Sequence, residues 1–339
     1  MNAHLRHLKM ESSHMSKAIF GLATAMVSLT TVTAVAVDID PAIPAYQKTS
    51  GVDGSIKSIG SDTLNNLMTL WAEGFSAQYP NVKIEIEGKG SGTAPPALIA
   101  GTAQFGPMSR EMRATEADDF EKKWGYKPTA LRVTVDALAV FVHKDNPIKC
   151  LSMTQLDQIF SKTRKRGGKS DVTSWGQVGS TGEWAALPVS MYGRNSASGT
   201  YGYFKETALG NGDYKDSVKE QPGSSAVVQA IASDKSAIGY SGVGYRTADV
   251  KAIAVSQTDG AECFEPSSDN AYSGDYPITR FLYVYVNKTP ARPLEPLRAE
   301  YVKFVLSKQG QEAVIKDGYY PVTASVIADD FKALGLAQP

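Results

Sequence analysis

Two hydrophobic rhythms alternate along the chain. Leu64, Leu67, Met68, Trp71 and Phe75 recur at the spacing of one helix face, and Pro80 marks the stop. Ser61 or Asp62 stands where a cap would accept the first free N–H groups of that helix. Lys83-Ile84-Glu85-Ile86-Glu87 changes the period to two, as a strand does. Gly54 to Gly60 reads as an earlier short strand and Ala103 to Gly106 as a later one. Between them, Gly88 to Thr93 is a glycine-rich loop that leads into a short helix with Pro95 and Pro96 in its first turn. This order predicts a mostly parallel sheet with helices on its faces. Ligands of such sheets sit beyond the carboxyl ends of the strands. Ser61-Asp62-Thr63, Ser91-Gly92-Thr93 and Ser109-Arg110 all fall there.

Further along, Leu131 to Lys144 is a long strand-like run interrupted by Asp136, and Met153 to Phe160 is helical. Leu187 to Tyr192 reads as a strand, followed by a polar loop to Thr200 and a helix through Ala208. Ser225 to Ser233 is a helix and Ser236 to Tyr240 a strand. Arg280 to Asn287 is a second long strand, and helices over Leu294–Leu306 and Gln309–Lys316 follow. If both long strands cross between lobes, the chain is α/β with two lobes and a hinge around a cleft. Lobe one is then 37–140 plus 278–339, and lobe two is 141–277.

The start changes the picture. Lys17, an apolar run from Ala18 to Ala36 and the small-residue end Ala34-Val35-Ala36 form the pattern of a signal peptide spanning residues 1–36 and cut after Ala36, with Met15 as an alternative start. The competing reading is an uncleaved membrane anchor. A cleaved leader without a nearby cysteine for lipid attachment places the mature chain in a periplasm. In that oxidising compartment Cys150 and Cys263, the only two cysteines, can pair or stay free.

The chain of 339 residues has a formal net charge of zero, so nothing favours nucleic acid as a partner. Cleavage would leave His143 as the one histidine, which excludes a multi-histidine metal site; no cofactor motif is present, and a monomer is expected. The chemistry lies in four loops of similar composition, Ser61-Asp62-Thr63, Ser91-Gly92-Thr93, Ser109-Arg110 and Arg194 through Thr200. Three of them open helices, whose free N–H groups and positive dipole ends attract anions. Serine and threonine add short donors, and Arg194 offers two parallel bonds to an oxyanion.

With these residues in view, the chain resembles the phosphate-binding proteins of phosphate ABC importers, which have the type II periplasmic-binding fold. The resemblance spans nearly all of residues 55–325. It rests on Gly60-Ser61-Asp62-Thr63, Gly90-Ser91-Gly92-Thr93, Phe105 through Arg110, Asp136 through Val140 and Arg194 through Thr200. It implies binding of inorganic phosphate by Thr63 with the Leu64 backbone, Ser91, Arg194, Ser198, Gly199 and Thr200, and delivery to a membrane permease. Two positions depart from the family. Ser109 stands where an aspartate accepts the proton of hydrogen phosphate and so excludes sulfate, and Ser196 stands where an acid partners the arginine. Asp62, otherwise a helix cap, and Asp136, otherwise a structural hydrogen-bond partner, are the candidates to supply an acceptor. Arg110 would add a second positive charge.

Two other classes compete. Sulfate, molybdate or a phosphorylated metabolite would suit the same donors. An exported phosphatase would need a nucleophile, and Gly239-Tyr240-Ser241-Gly242-Val243 resembles a nucleophile elbow but ends in valine where glycine is required. The basic run Lys162, Arg164, Lys165, Arg166 and Lys169 reads as a solvated loop or as a docking patch for the importer.

Overall fold

A computed structural model describes residues 37–337. The leader expected over residues 1–36 lies outside them. Residues 37–53 form an irregular, turn-rich entry. The first lobe is then built from β1 (Gly54–Ile59), α1 (Asn65–Gln78), β2 (Val82–Glu87), α2 (Ala94–Ala100), β3 (Phe105–Met108), α3 (Ala114–Trp124) and β4 (Thr129–Ala137). The second holds β5 (Ala139–His143), β6 (Cys150–Ser152), α4 (Met153–Phe160), β7 (Ser190–Arg194), α5 (Gly199–Thr207), β8 (Lys219–Gln221), α6 (Ser224–Ser233), β9 (Ala237–Ser241), β10 (Val250–Ser256) and β11 (Cys263–Phe264). After α7 (Ser268–Ser273) the chain returns to the first lobe as β12 (Thr279–Val286), α8 (Pro296–Val305), α9 (Lys308–Lys316) and α10 (Ala324–Leu334).

The first sheet has the order β2-β1-β3-β12-β4, and the second runs β11-β10-β5-β9-β7-β8 with β6 beside β10. The mostly parallel sheet expected from the early strands is a mixed one. β1 runs parallel to β2 and β3, whereas β12 lies antiparallel between β3 and β4. The long run from Leu131 is not one strand. It breaks at Leu138, and β5 pairs with β9 and β10 of the second sheet. Ala139 and Val140, assigned above to lobe one, therefore lie in the second sheet.

The second long strand does not cross at all, because β12 pairs with β4 over its whole length. The return crossing comes just before it, where the Leu138 N–H donates to the Ile278 carbonyl at 2.9 Å. The two crossings thus run side by side.

Burial explains the elements that periodicity had indicated. Leu67, Met68, Trp71 and Phe75 of α1 are fully buried. The Trp71 indole donates to the Gly310 carbonyl at 2.8 Å, which ties α1 to α9. Phe75 packs edge-on against Tyr301 of α8. Helix α3 escaped the pattern because Phe120 is its one buried residue and charge covers the rest. β10 and α10 were not anticipated either.

Cys150 and Cys263 are bonded, with Cα atoms 6.2 Å apart, joining β6 and β11 on either side of β10. Their separation of 113 residues closes most of the second lobe into one loop. The double variant Cys150→Ser/Cys263→Ser is expected to lose about 2–4 kcal/mol of stability, read as a lowered midpoint in urea denaturation.

Candidate functional site

The loops after β1, after β2 and after β3 meet the loop after β7 at the cleft between the lobes. α1 begins at Asn65, and its cap position is Leu64, which offers no side-chain bond. Neither Ser61 nor Asp62 caps it. The turn is held instead by Tyr319, whose hydroxyl donates to the Thr63 carbonyl at 3.0 Å, and by Tyr245, whose hydroxyl donates to the Asp62 carbonyl at 2.9 Å. Ser61 Oγ is buried without a hydrogen-bond partner.

Four hydroxyls converge from the two lobes. Thr63 Oγ1 and Thr200 Oγ1 lie 2.8 Å apart across the cleft. Thr200 Oγ1 is 3.3 Å from Ser109 Oγ, which is 3.2 Å from Ser91 Oγ. All four residues are buried. The Ser109 N–H donates to Ser91 Oγ at 2.9 Å.

Helix α5 starts at Gly199, and Ser198 caps it by accepting from the N–H groups of Thr200 and Tyr201. The Ser198 hydroxyl hydrogen stays available as a donor, because capping uses only its lone pairs. Gly199 is required by close approach. A Cβ there would stand 2.3 Å from Ser91 Oγ and 2.7 Å from Ser109 Oγ. Thr63, Ser91, Ser109, Ser198, Gly199 and Thr200, all expected from the sequence, are therefore brought to one place, with the start of α1 at Leu64 beside them.

The charges are arranged differently from expectation. Arg280, which sequence reasoning missed, is the cation that reaches the hydroxyls, donating from Nη2 to Thr200 Oγ1 at 2.9 Å and from Nη1 to the Ser109 carbonyl at 2.5 Å. Asp136 faces it in register across β4 and β12. Asp136 Oδ2 accepts from Arg280 Nε at 3.0 Å and Nη2 at 2.8 Å, and its Oδ1 accepts the Val243 N–H at 3.0 Å. Both oxygens of Asp136 are thus engaged by protein groups. The carboxylate that interrupts an apolar strand serves the arginine that interrupts the next one.

Arg194 is 1% exposed, and its Nη2 lies 3.1 Å from Asp62 Oδ2 while its Nη1 donates to Ser224 Oγ at 2.7 Å. Arg194 Nε is buried without a partner. Burial pushes the guanidinium below its ordinary pKa and Asp62 opposes that push, but an arginine so far above neutrality stays charged.

Arg110 and Ser196, also expected, lie apart from both the hydroxyls and these ion pairs. Arg110 turns away from the hydroxyls into a bidentate pair with Glu116, both bonds 2.7 Å. Glu116 also accepts the Arg113 N–H at the start of α3, so this cation is spent on a helix end. Ser196 is exposed and makes no bond to Arg194.

The phosphatase geometry is not met. Ser241 is buried and its hydroxyl points to the Ser224 carbonyl at 3.4 Å. It pairs with Ala139, and His143 lies four residues further along β5, about 13 Å away. His143 Nδ1 instead accepts the Asp145 N–H at 3.2 Å. Among the described residues no cluster of His, Cys, Asp and Glu is arranged to hold a metal ion. In the basic loop, Arg164 pairs with Asp171, Lys162 lies 3.2 Å from Asp216, and Arg166 donates to the carbonyls of Thr207 and Ala208. Much of that charge is therefore tied within its own lobe.

Asp317 lies where the first lobe touches the turn at Gly244 and Tyr245; a Cβ on Gly244 would stand 2.3 Å from the Asp317 carbonyl oxygen. Asp317 Oδ2 makes no hydrogen bond. Burial pushes this carboxyl up to about 7.

A model of the PBP superfamily domain matches residues 45–309. Phosphate-binding protein PstS of Pseudomonas aeruginosa is 59% identical over 298 residues, covering 88% of this chain and 92% of the relative. Protein SphX of Synechococcus elongatus is 28% identical over 269 residues, covering 78% and 77%. Among solved structures, a possible phosphate binding protein from Planctomyces limnophilus aligns with a TM-score of 0.60 and 28% identity, over 84% of this chain and 99% of the other. An ABC-type phosphate transport receptor from Vibrio cholerae aligns with a TM-score of 0.61 and 22% identity, over 79% and 100%, a likeness of fold.

Asp136→Ala leaves Arg280 buried without its counter-charge and is expected to cost about 3–5 kcal/mol, measured by denaturant melts. Asp317 gives a separate pH signature. The folded chain keeps this proton up to about pH 7, whereas the unfolded chain releases it near 3.8. Its contribution is therefore full below the lower value and is lost as pH rises through the upper one. Wild-type stability is expected to fall relative to Asp317→Asn between those values, checked by melts across the range.

Proposed function

The chain belongs to the PstS family of phosphate-binding proteins within the PBP superfamily, and from that membership we propose that it binds inorganic phosphate between its lobes and delivers it to an ABC importer. The observation that carries this reading is the convergence of Thr63, Ser91, Ser109 and Thr200 on one buried point, with Arg280 bonded to it. Hydroxyls that now bond one another would exchange those neutral bonds for charge-assisted bonds to an oxyanion, which are roughly twice as strong. Ser198, the start of α5 at Gly199 and the backbone at Leu64 complete the donor set, with Arg194 at the second lobe's edge of it.

No step of bond making is needed. The lobes, 37–138 with 278 onward and 139–277, would close about the paired crossings at Leu138 and Ile278, exclude water and strengthen each bond to the anion. A monomer presenting the closed cleft to a membrane permease fits this role. Export to the periplasm, with a leader removed after Ala36, fits the family.

A second reading, binding of sulfate, is favoured by one observation. Asp136 is consumed by Arg280 and the Val243 N–H, and Ser109 is a hydroxyl, which can accept a hydrogen bond from the O–H of hydrogen phosphate or donate one to sulfate.

Calorimetric titration of ligand-stripped protein with phosphate and with sulfate separates the two readings. One-site binding of phosphate with none of sulfate is expected; sulfate alone, or neither, would overturn the phosphate reading. Arg194→Ala should weaken phosphate binding by about 2–5 kcal/mol, as for the loss of a buried charged partner, with the fold retained by circular dichroism. Protein recovered from the periplasm should begin at Val37 on N-terminal sequencing.

A further inference from the structure

We propose that Asp62 is a positioning residue that acts across the cleft, holding Arg194 and the start of helix α6 from the opposite lobe, so that the anion site is assembled only on closure. This rests on the phosphate reading above. It differs in giving Asp62 no contact with the ligand.

Helix α6 begins at Ser224, and its cap residue is Gly223, which has no side chain to accept the first N–H groups. The acceptor comes from the other lobe. Asp62 Oδ2 takes the Ser224 N–H at 2.8 Å, placing a negative charge at the positive end of the helix dipole. The same oxygen lies 3.1 Å from Arg194 Nη2. Arg194 is in turn held by Ser224 Oγ at 2.7 Å and by the Pro222 carbonyl at 3.4 Å. Tyr245, also of the second lobe, donates to the Asp62 backbone carbonyl. Three groups of the second lobe therefore meet at one residue of the first.

The approach is close: a Cβ on Gly223 would stand 2.9 Å from Asp62 Oδ1, so a methyl group there would press on that carboxylate. Neither Asp62 oxygen bonds to the hydroxyls of Thr63, Ser91, Ser109 or Thr200, so its leverage on the ligand runs through Arg194 and through closure.

When the lobes part, Asp62, Arg194 and the Ser224 N–H all exchange these bonds for water. The contribution of Asp62 therefore belongs to the open–closed balance and not to the folding of either lobe. Ligand affinity scales with the fraction of protein in the competent state.

Three substitutions dissect the contact. Asp62→Ala removes both bonds. Asp62→Asn keeps an acceptor for the Ser224 N–H and loses the charge facing Arg194. Gly223→Ala presses a methyl group on Asp62 Oδ1 and leaves the hydroxyls and Arg194 intact. Each is compared with wild type for ligand-free radius of gyration by small-angle X-ray scattering, for phosphate affinity and dissociation rate, and for global stability by urea melts.

Asp62→Ala is expected to be more expanded than wild type without ligand and to return to the wild-type dimension at saturating phosphate. If its closed fraction falls to about a tenth, its affinity falls about tenfold, carried by faster dissociation. Gly223→Ala should move the same way by less, with its melt close to wild type. Asp62→Asn should fall between the two.

A ligand-free dimension equal to wild type in both Asp62→Ala and Gly223→Ala would overturn the proposal. So would weaker binding by Asp62→Ala at unchanged dimension, which would make Asp62 a direct ligand contact. If wild type binds no phosphate, the phosphate reading fails by itself, while the ligand-free scattering still decides whether Asp62 holds the lobes together.

Discussion

A charge removed from water must meet a counter-charge, and the Asp136–Arg280 pair meets that demand at the point where the two crossings of the chain run side by side. Asp136 lies two residues before the break at Leu138, and Arg280 lies two residues after Ile278, whose carbonyl accepts the Leu138 N–H. The pair is in direct register across the antiparallel strands β4 and β12. From there, Arg280 reaches Thr200 and the Ser109 carbonyl, and Asp136 reaches the Val243 N–H. One ion pair thus aligns loops of both lobes with the place where they hinge. A buried pair of this kind is weak evidence for added stability, since desolvation opposes attraction. Its consequence here is geometric: it sets where the hydroxyls stand.

The cleft is also nearly balanced in charge. Arg280 is matched by Asp136 and Arg194 by Asp62. The donors that would meet an anion are mostly neutral hydroxyls and backbone N–H groups, and in a water-free setting such dipoles act strongly because little solvent competes with them. Among those donors, Ser109 Oγ stands 3.3 Å from Thr200 Oγ1 and 3.2 Å from Ser91 Oγ, and a hydroxyl can accept a hydrogen bond as well as donate one.

Much of the fold was legible from periodicity. Helix α1 follows from Leu64 through Phe75, and α4 from the amphipathic run Met153–Phe160. Helix α3 was not legible, because a helix with one buried aromatic carries little apolar rhythm. The break at Leu138 was hidden as well. Leu131, Val133, Ala137, Ala139 and Phe141 are all buried, and a run buried on both sides of a crossing shows no change of period where it leaves one sheet for the other.

The residues that offer donors were legible as a group: any one serine or threonine at a strand-to-helix loop reads as a cap, but the same composition recurs at such loops in both lobes. Thr63, Ser91, Ser109, Ser198, Gly199 and Thr200 stood out in that way and lie together. The pairing of charges could not be read so. Asp62 stands in sequence beside α1, yet it caps α6, 162 residues away. Arg110 sits next to Ser109 but turns to Glu116, and Arg280 carries the same signal as Asp136, a charge in an apolar strand, with nothing in its own neighbourhood to name its partner. The sequence by itself determined which side chains could donate or carry charge, because that is a property of each residue. Only the tertiary structure decided which charges meet, because at these distances the choice depends on how two sheets are placed about a shared hinge.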